Sequence, residues 1–290
     1  MEIGLGLDAR LGLSSAQLRD LAPEARRLGY QSLWTNAGTD YDPVEMCLAW
    51  NASSGLPTGV AVVPIQRNPP AVLALAARTT HELTGGRFVL GIGSGSLTDK
   101  PIRAVREYVK AVRSVAPRLA IVIGALGPQM RHLAATHAQG VALNWCTPEQ
   151  ITIDRAQVGP DTRLIEYIRV CVDDDVPAAR LALAKQILAY ALMPRGSGSR
   201  GYPAHFERMG FGPELAELNA RRANGATDEV LARTMPERLV ATFGYYGSGE
   251  GAREKFAAMA AGLDLAIVRV LSPRPGDHVP VRRAIEALAP

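Results

Sequence analysis

Residues 119–145 read LAIVIGALGPQMRHLAATHAQGVALNW, the pattern of a β-strand, a turn, an α-helix and a second β-strand. The continuous apolar run Leu119–Ile123 is typical of a parallel strand that is covered on both faces. Gly124–Pro128 ends that strand, and the proline suits the first turn of a helix. Unpaired backbone N–H groups at such a helix start favour phosphate binding, although an ordinary strand-to-helix turn would look the same.

The composition indicates a globular protein with a small ligand. The chain has 290 residues, of which 47% are hydrophobic and 21% charged, and these are ordinary values. This length fits two average domains or one α/β barrel. The net charge of +4 comes mainly from arginine, without a basic block. We therefore expect a small-molecule substrate, with an anionic group in the ligand, and no nucleic acid.

The cysteines and the apolar runs bear on the compartment. Cys47, Cys146 and Cys171 are too few and too scattered for a disulfide framework or a thiolate metal site, so the sequence predicts no metal. The N-terminal residues lack the pattern of a signal peptide, and no apolar run approaches the ~20 residues that span a bilayer. We expect a cytoplasmic protein without a membrane partner.

Strand-like runs alternate with helical patterns along the whole chain, which is typical of a parallel sheet made of βα units. The eight predicted strands are Ile3–Asp8, Ser32–Thr35, Thr58–Val63, Phe88–Gly93, Leu119–Gly124, Gly140–Trp145, Leu164–Val172 and Leu265–Leu271. Eight such units predict a (β/α)₈ TIM barrel, here a single domain over residues 1–290. An open, doubly wound sheet is disfavoured because residues 8–14, DARLGLS, lack its glycine-rich fingerprint.

One region interrupts the alternation. Residues 194–236 form an insertion before the eighth strand, and it begins with the glycine- and serine-rich segment Arg195–Gly201. Long insertions at a barrel mouth are often lids or binding loops. A linker without a role in binding is the alternative for the glycine-serine part.

With these units placed, the chain resembles the luciferase-like monooxygenase superfamily of flavin and deazaflavin barrels. The resemblance is strongest to the deazaflavin branch that contains methylenetetrahydromethanopterin reductase. It follows motifs that occur in the same order: GYQSLW at 29–34, NPPAVL at 68–73, LTGGRFVLGIG at 83–93, REY at 106–108, ALGP at 125–128 and AQGVALNW at 138–145. It covers nearly the whole chain and is weakest over residues 194–236.

The resemblance implies a cofactor site at the carboxyl ends of the strands. It places a non-prolyl cis peptide near Ala61–Val62, against the central ring of the flavin, and the cofactor phosphate at the turn after the fifth strand. The implied cofactor-binding residues are Asn36, Ala61, Val62, Ser94, Gly95, Ala125, Leu126, Gly127, Pro128 and Asn144. Surface arginines would meet an anionic tail, and the candidates are Arg67, Arg103 and Arg131.

The branch resemblance favours the deazaflavin coenzyme F420, with FMN as the alternative. A deazaflavin transfers hydride but does not activate oxygen, so the cofactor separates a reductase from a monooxygenase. A barrel that binds a flavin without turnover is a third hypothesis. The resemblance also leaves a homodimer open as the oligomeric state.

Two departures from the family bear on the chemistry. Many relatives have a histidine after the second strand, where this chain has Ala37, and several have an acidic residue where it has Ser96. Neither replacement titrates near neutral pH. We therefore expect a reductase of an activated C=C or C=N bond, with Asn36 and Ser96 as catalytic candidates and Tyr41 as a candidate substrate contact.

Two further segments have simple interpretations. Asp173, Asp174 and Asp175 resemble a metal cluster but more simply end the seventh strand and cap the next helix. Residues 245–248, YYGS, precede a helix and suggest a second anion-binding turn.

Overall fold

The computed structural model describes residues 1–38, 40–194 and 201–290. Within these residues eight parallel strands form a closed barrel, and a ninth strand lies outside it. The barrel strands are β1 (Glu2–Gly6), β2 (Ser32–Thr35), β3 (Thr58–Pro64), β4 (Phe88–Gly93), β5 (Ala120–Gly124), β6 (Gly140–Asn144), β7 (Arg163–Val172) and β9 (Leu265–Leu271), and the outer strand is β8 (Gly244–Gly247). The predicted TIM barrel is confirmed.

Helices connect the strands and cover the outside of the barrel. They are α1 (Ser15–Arg27), α2 (Pro43–Ser54), α3 (Pro70–Leu83), α4 (Pro101–Val115), α5 (Pro128–His137), α6 (Pro148–Val158), α7 (Val176–Ala191), α8 (Gly201–Phe206), α9 (Gly212–Ala223), α10 (Asp228–Arg233), α11 (Glu237–Phe243), α12 (Ala252–Met259) and α13 (His278–Ala287). The carboxylates of Asp42 and Asp175 cap α2 and α7, as their sequence positions predict.

Side chains fill the interior of the barrel in layers. Trp34, Tyr167 and Ile267 pack together in the interior cluster, and the indole of Trp34 occupies the space beside Gly59, where a Cβ would lie 2.4 Å from its ring. Because alternate residues of a strand face the same side, Arg169 and Arg269 face inward one layer nearer the carboxyl ends of β7 and β9. The mouth of the barrel therefore has two arginines in its upper layer.

The insertion is largely helical where the structure describes it. Helices α8, α9 and α10 pack with α7 and α11 in a second apolar cluster around Trp145 and Phe206, at the carboxyl end of β6. The glycine- and serine-rich segment Arg195–Arg200 lies outside the described residues.

The outer strand β8 was not predicted. The expected anion-binding turn at residues 245–248 is wrong, because Tyr245, Tyr246 and Gly247 belong to β8 and pair in parallel with Val170–Val172 of β7. Strand β7 has ten residues and extends beyond its pairing with β6, so its last residues are free to pair with a further strand.

Candidate active site

The third strand has an irregularity at the mouth. The peptide bond Ala61–Val62 is cis, as predicted, and the pairing of β3 with β4 shifts register between Val60 and Val63. Val62 lies against the backbones of β4 and β5, where a Cβ on Gly93 would come within 2.6 Å of it and a Cβ on Gly124 within 3.2 Å. Val62 therefore forms an apolar wall on this side of the mouth, and Gly93 and Gly124 leave the space that its side chain occupies.

The turn after β5 leaves the start of α5 open. Gly127 is the N-cap residue, has extended backbone angles and provides no side-chain cap. A Cβ on Gly127 would meet no atom within 4 Å. The carbonyl of Leu126 accepts hydrogen bonds from Arg131 (3.1 Å) and Arg208 (2.7 Å). An anion could approach the first turn of α5 from the open side.

The loop after β4 forms a third part of the rim. Gly95 has a positive φ of 57° and lies beside Gln66, whose side-chain amide donates to the carbonyl of Ser94 at 2.9 Å. Ser96 is exposed and Asn36, after β2, is half-buried. Both residues follow barrel strands at their carboxyl ends, and their part in the site stays a prediction.

The opposite side of the mouth is charged. Arg269 forms a buried ion pair with Asp8, which follows β1. Burial alone would raise the pKa of Asp8, but Arg269 and Arg10 outweigh it and hold that pKa below its usual range. Arg169 lies 3.7 Å from the centre of the Trp145 ring and donates from Nη1 to the carbonyl of Tyr167 at 2.7 Å.

Two tyrosines from α7 and α8 cover this charged side. Tyr190 packs edge-on against Tyr202 at 4.6 Å between ring centres, and the amide of Asn144 donates to the hydroxyl of Tyr202 at 2.6 Å. Burial opposes ionisation of Tyr190, but the guanidinium groups of Arg269, Arg169 and Arg10 outweigh burial and lower its pKa to about 8. Among the residues of this charged side, only Asn144 was predicted as a site residue from the sequence.

The chain is similar to known proteins in sequence and in fold. Residues 3–118 match the family model of the luciferase-like monooxygenases. The resemblance to the luciferase-like superfamily is confirmed. A curated relative, 5,10-methylenetetrahydromethanopterin reductase of Archaeoglobus fulgidus, is 26% identical over 64% of this chain and 68% of its own.

Two solved structures have the same fold over the full chain. The coenzyme F420-dependent tetrahydromethanopterin reductase of Methanopyrus kandleri has a TM-score of 0.75, with 16% identity over 100% of this chain and 98% of its own. The oxygenating constituent of 3,6-diketocamphane monooxygenase from Pseudomonas putida, in complex with FMN, has a TM-score of 0.64, with 15% identity over 100% and 97%. At these identities the structures establish the fold alone.

The structure also describes the other sequence candidates. Arg131 is not a surface arginine, because it is buried against Asp154 at 3.1 Å. Arg67 and Arg103 are exposed. Asp173 accepts from Arg274 instead of joining a metal site, and the described ranges contain no cluster of three metal-ligating side chains. No described helix has both the length and the apolar character needed to cross a bilayer.

A cavity of about 440 Å³ lies at the opposite, amino-terminal end of the strands, where Glu2 and Arg163 form an ion pair. That end of a barrel normally contributes to stability, whereas binding groups lie at the carboxyl ends of the strands. We therefore assign the candidate site to the mouth and not to this cavity.

Glu166 is a buried carboxyl group on the outward side of β7. Its Oε1 accepts from the backbone N–H of Cys146 at 2.7 Å, and its Oε2 has no hydrogen-bond partner among the described residues. Burial raises the pKa of Glu166 to about 8, against the opposing effects of that hydrogen bond and of Arg169. The side chain is therefore protonated at neutral pH.

We expect Glu166→Gln to make the protein more stable at alkaline pH. The pKa of Glu166 is higher in the folded state, so its stabilising effect is complete below the unfolded value of 4.5 and is lost as pH rises towards about 8. Glutamine retains the shape without the titration. The difference in melting temperature between the variant and wild type should increase by about 5 °C or more, in favour of the variant, from pH 5 to pH 8. The exposed Glu254→Gln serves as control, and a pH-independent difference for Glu166→Gln would refute the buried, protonated carboxyl.

Proposed function

We propose that this protein is a coenzyme F420-dependent oxidoreductase that transfers a hydride between the coenzyme and a small organic substrate. The observation that carries the proposal is the arrangement of the mouth: the apolar wall of Val62 on β3 and the open start of α5 after β5 lie on the same side. A cofactor with a tricyclic ring and a phosphate-bearing tail could place its ring on this apolar wall and its phosphate at this helix start. The similarity to the curated methylenetetrahydromethanopterin reductase and to the coenzyme F420-dependent reductase of Methanopyrus kandleri supports the choice of cofactor.

The residues present fit this cofactor. Ala61 and Val62 would lie against the ring. In the turn Ala125–Pro128, the backbone N–H groups of Leu126 and Gly127 would hold the phosphate together with the dipole of α5. Ala125, whose N–H donates to Ala142, and Pro128, which has no N–H, would shape the turn. Ser94, Gly95 and Asn144 would contact the ring or its side chain from the rim. When bound in its reduced form, a deazaflavin supplies a hydride and does not activate oxygen.

The proposed reaction is the reduction of an activated C=C or C=N bond. Asn36 and Ser96 would orient the substrate by hydrogen bonds, since neither side chain can serve as an acid or base near neutral pH. A bond that is already polarised needs little further activation.

The free thiols of Cys47, Cys146 and Cys171 are compatible with a reducing cytoplasm as the site of action.

A turnover screen tests this function. Purified protein is mixed with reduced coenzyme F420 and a panel of enones and imines, and the return of the oxidised coenzyme's absorbance is followed. We expect protein-dependent oxidation with at least one substrate and no oxygen consumption. Oxygen consumption with reduced FMN would instead support the monooxygenase alternative, for which the FMN-bound structure provides the precedent. Tight coenzyme binding without turnover across the panel would support a non-catalytic barrel.

A further inference from the structure

The side of the mouth opposite Val62 is formed by β7. The ring of strands runs β1 to β7 in order and closes through β9 between β7 and β1. Strands β3 and β7 are therefore four strands apart in either direction and face each other across the mouth. A molecule that lies on the wall of Val62 has its other face towards the upper part of β7, where Arg169 points inward.

Arg169 has unused hydrogen-bonding capacity. It is 1% exposed, and only its Nη1 has a partner, the carbonyl of Tyr167. Its Nε and Nη2 donate to no group within the described ranges. A buried guanidinium with unpaired N–H groups is costly, and folded proteins normally satisfy such groups with protein, water or ligand. The unpaired edge of Arg169 therefore indicates a site for a hydrogen-bond acceptor.

The local charge favours an anionic acceptor. Arg10, Arg169 and Arg269 contribute three positive charges to this side of the mouth, and Asp8 neutralises one of them through its ion pair with Arg269. Glu166 is on the outer face of β7 and is protonated near neutral pH. A guanidinium with two adjacent donors binds a planar carboxylate in a bidentate manner.

Tyr190 is placed to act beside that anion. Its ring centre is 5.8 Å from the guanidinium carbon of Arg169, and its hydroxyl accepts a hydrogen bond from Arg10 at 3.4 Å. The other groups facing it are Arg269, Tyr202 and the indole of Trp145. Within the described part of the chain no group accepts the proton of the Tyr190 hydroxyl, which is therefore free to donate.

We propose that Arg169 and Tyr190 form a substrate subsite for a carboxylate-bearing molecule, in which Arg169 binds the carboxylate and Tyr190 donates the proton that completes the reduction. The role of Tyr190 as proton donor rests on the proposed function, whereas carboxylate binding by Arg169 does not. In the reduction of an α,β-unsaturated acid, a bound reduced deazaflavin would supply the hydride for the new C–H bond at the β carbon and would itself be oxidised. The displaced electron pair of the C=C bond takes the proton of Tyr190 at the α carbon, and the phenolate regains a proton from water.

The carboxylate site is tested by binding, without turnover. Calorimetric titration of the full chain with cinnamate, and with the neutral cinnamamide as matched probe, is compared for wild type, Arg169→Met and the exposed control Arg283→Met. We expect cinnamate to bind wild type and the control about tenfold or more tightly than it binds Arg169→Met, since charge-assisted hydrogen bonds are lost. Cinnamamide should bind weakly and equally to all three. Equal binding of the two probes to wild type would overturn the site.

Because Arg169→Met could fail to fold, the NMR signal of the Arg169 Nε–H group provides an independent reading on wild type. Saturable movement of this signal with cinnamate, and not with cinnamamide, supports the site; an unmoved signal contradicts it. Both experiments can be done with and without coenzyme F420. If the coenzyme does not bind but cinnamate does, the proposed function fails and the carboxylate site remains.

The proton-donor part is tested by the pH dependence of turnover, with a substrate found in the screen. For wild type, the rate of the reduction should fall as pH rises through about 8, where Tyr190 loses its proton. Tyr190→Phe should lower the rate about 100-fold and abolish this fall, and the control Tyr246→Phe, on β8, should do neither. An unchanged rate and pH profile for Tyr190→Phe would exclude it as the donor.

Discussion

Replacing Gly127 with aspartate is expected to weaken binding of the phosphate-bearing coenzyme by about 100-fold. The new carboxylate would stand at the open start of α5, where we place the phosphate. Two like charges about 4 Å apart near a protein surface repel by roughly 4 kcal/mol. Space is not limiting, because a Cβ on Gly127 meets nothing within 4 Å and its φ is −122°. Fluorescence titration with coenzyme F420 measures the effect.

The matched control for this experiment is Gly127→Asn. Asparagine has the same shape without the charge, and both residues are good N-caps, so each should preserve or increase the stability of α5. We expect the asparagine variant to bind the coenzyme within about threefold of wild type. Equal affinities for the aspartate and asparagine variants would show that the phosphate lies elsewhere.

Asp8→Asn is expected to lower the free energy of unfolding by about 3–5 kcal/mol. Asp8 and Arg269 form a buried ion pair in the upper layer of the barrel, with relative exposures of 6% and 3%. Removing the negative charge leaves Arg269 buried and uncompensated, beside Arg169 and Arg10. Urea unfolding at neutral pH, followed by circular dichroism, measures the loss.

An exposed ion pair serves as the control for Asp8. Asp174 pairs with Arg283 at the surface, where the Asp174 side chain is 72% exposed. Asp174→Asn should cost at most about 1 kcal/mol, because solvent screens such pairs. If the two variants lose similar stability, the charged side of the mouth is open to water and the unpaired edge of Arg169 would need no ligand.

The strands of the barrel could be predicted from the sequence because each is a short apolar run bounded by turn residues. Strand β8 could not be predicted in this way. Its sequence, GYYG, contains two glycines and only four residues, and it forms because β7 extends beyond β6 and offers a free edge. Its existence depends on the tertiary structure rather than on a local pattern.

The site was predicted in part. The cis bond at Ala61–Val62 came from the family resemblance and the turn at Gly127 from the local sequence pattern, and the structure has both features. The roles assigned to Asn36, Ser96 and the other rim residues stay predictions. Arg169 was not predicted, although the sequence carried a signal for it, because an arginine lies in the second half of a strand that is otherwise largely apolar. Whether that arginine faces into the barrel depends on the register of the strands, which the sequence alone does not define.

The binding of coenzyme F420 to the purified protein tests the central claim most directly. Parallel equilibrium titrations with coenzyme F420 and FMN, read by fluorescence, compare the two cofactors under the same conditions. We expect saturable binding of coenzyme F420 that is lost in Ala61→Phe, whose larger side chain would occupy the apolar wall on β3. Binding of FMN alone, or coenzyme binding that Ala61→Phe leaves unchanged, would contradict the proposed site.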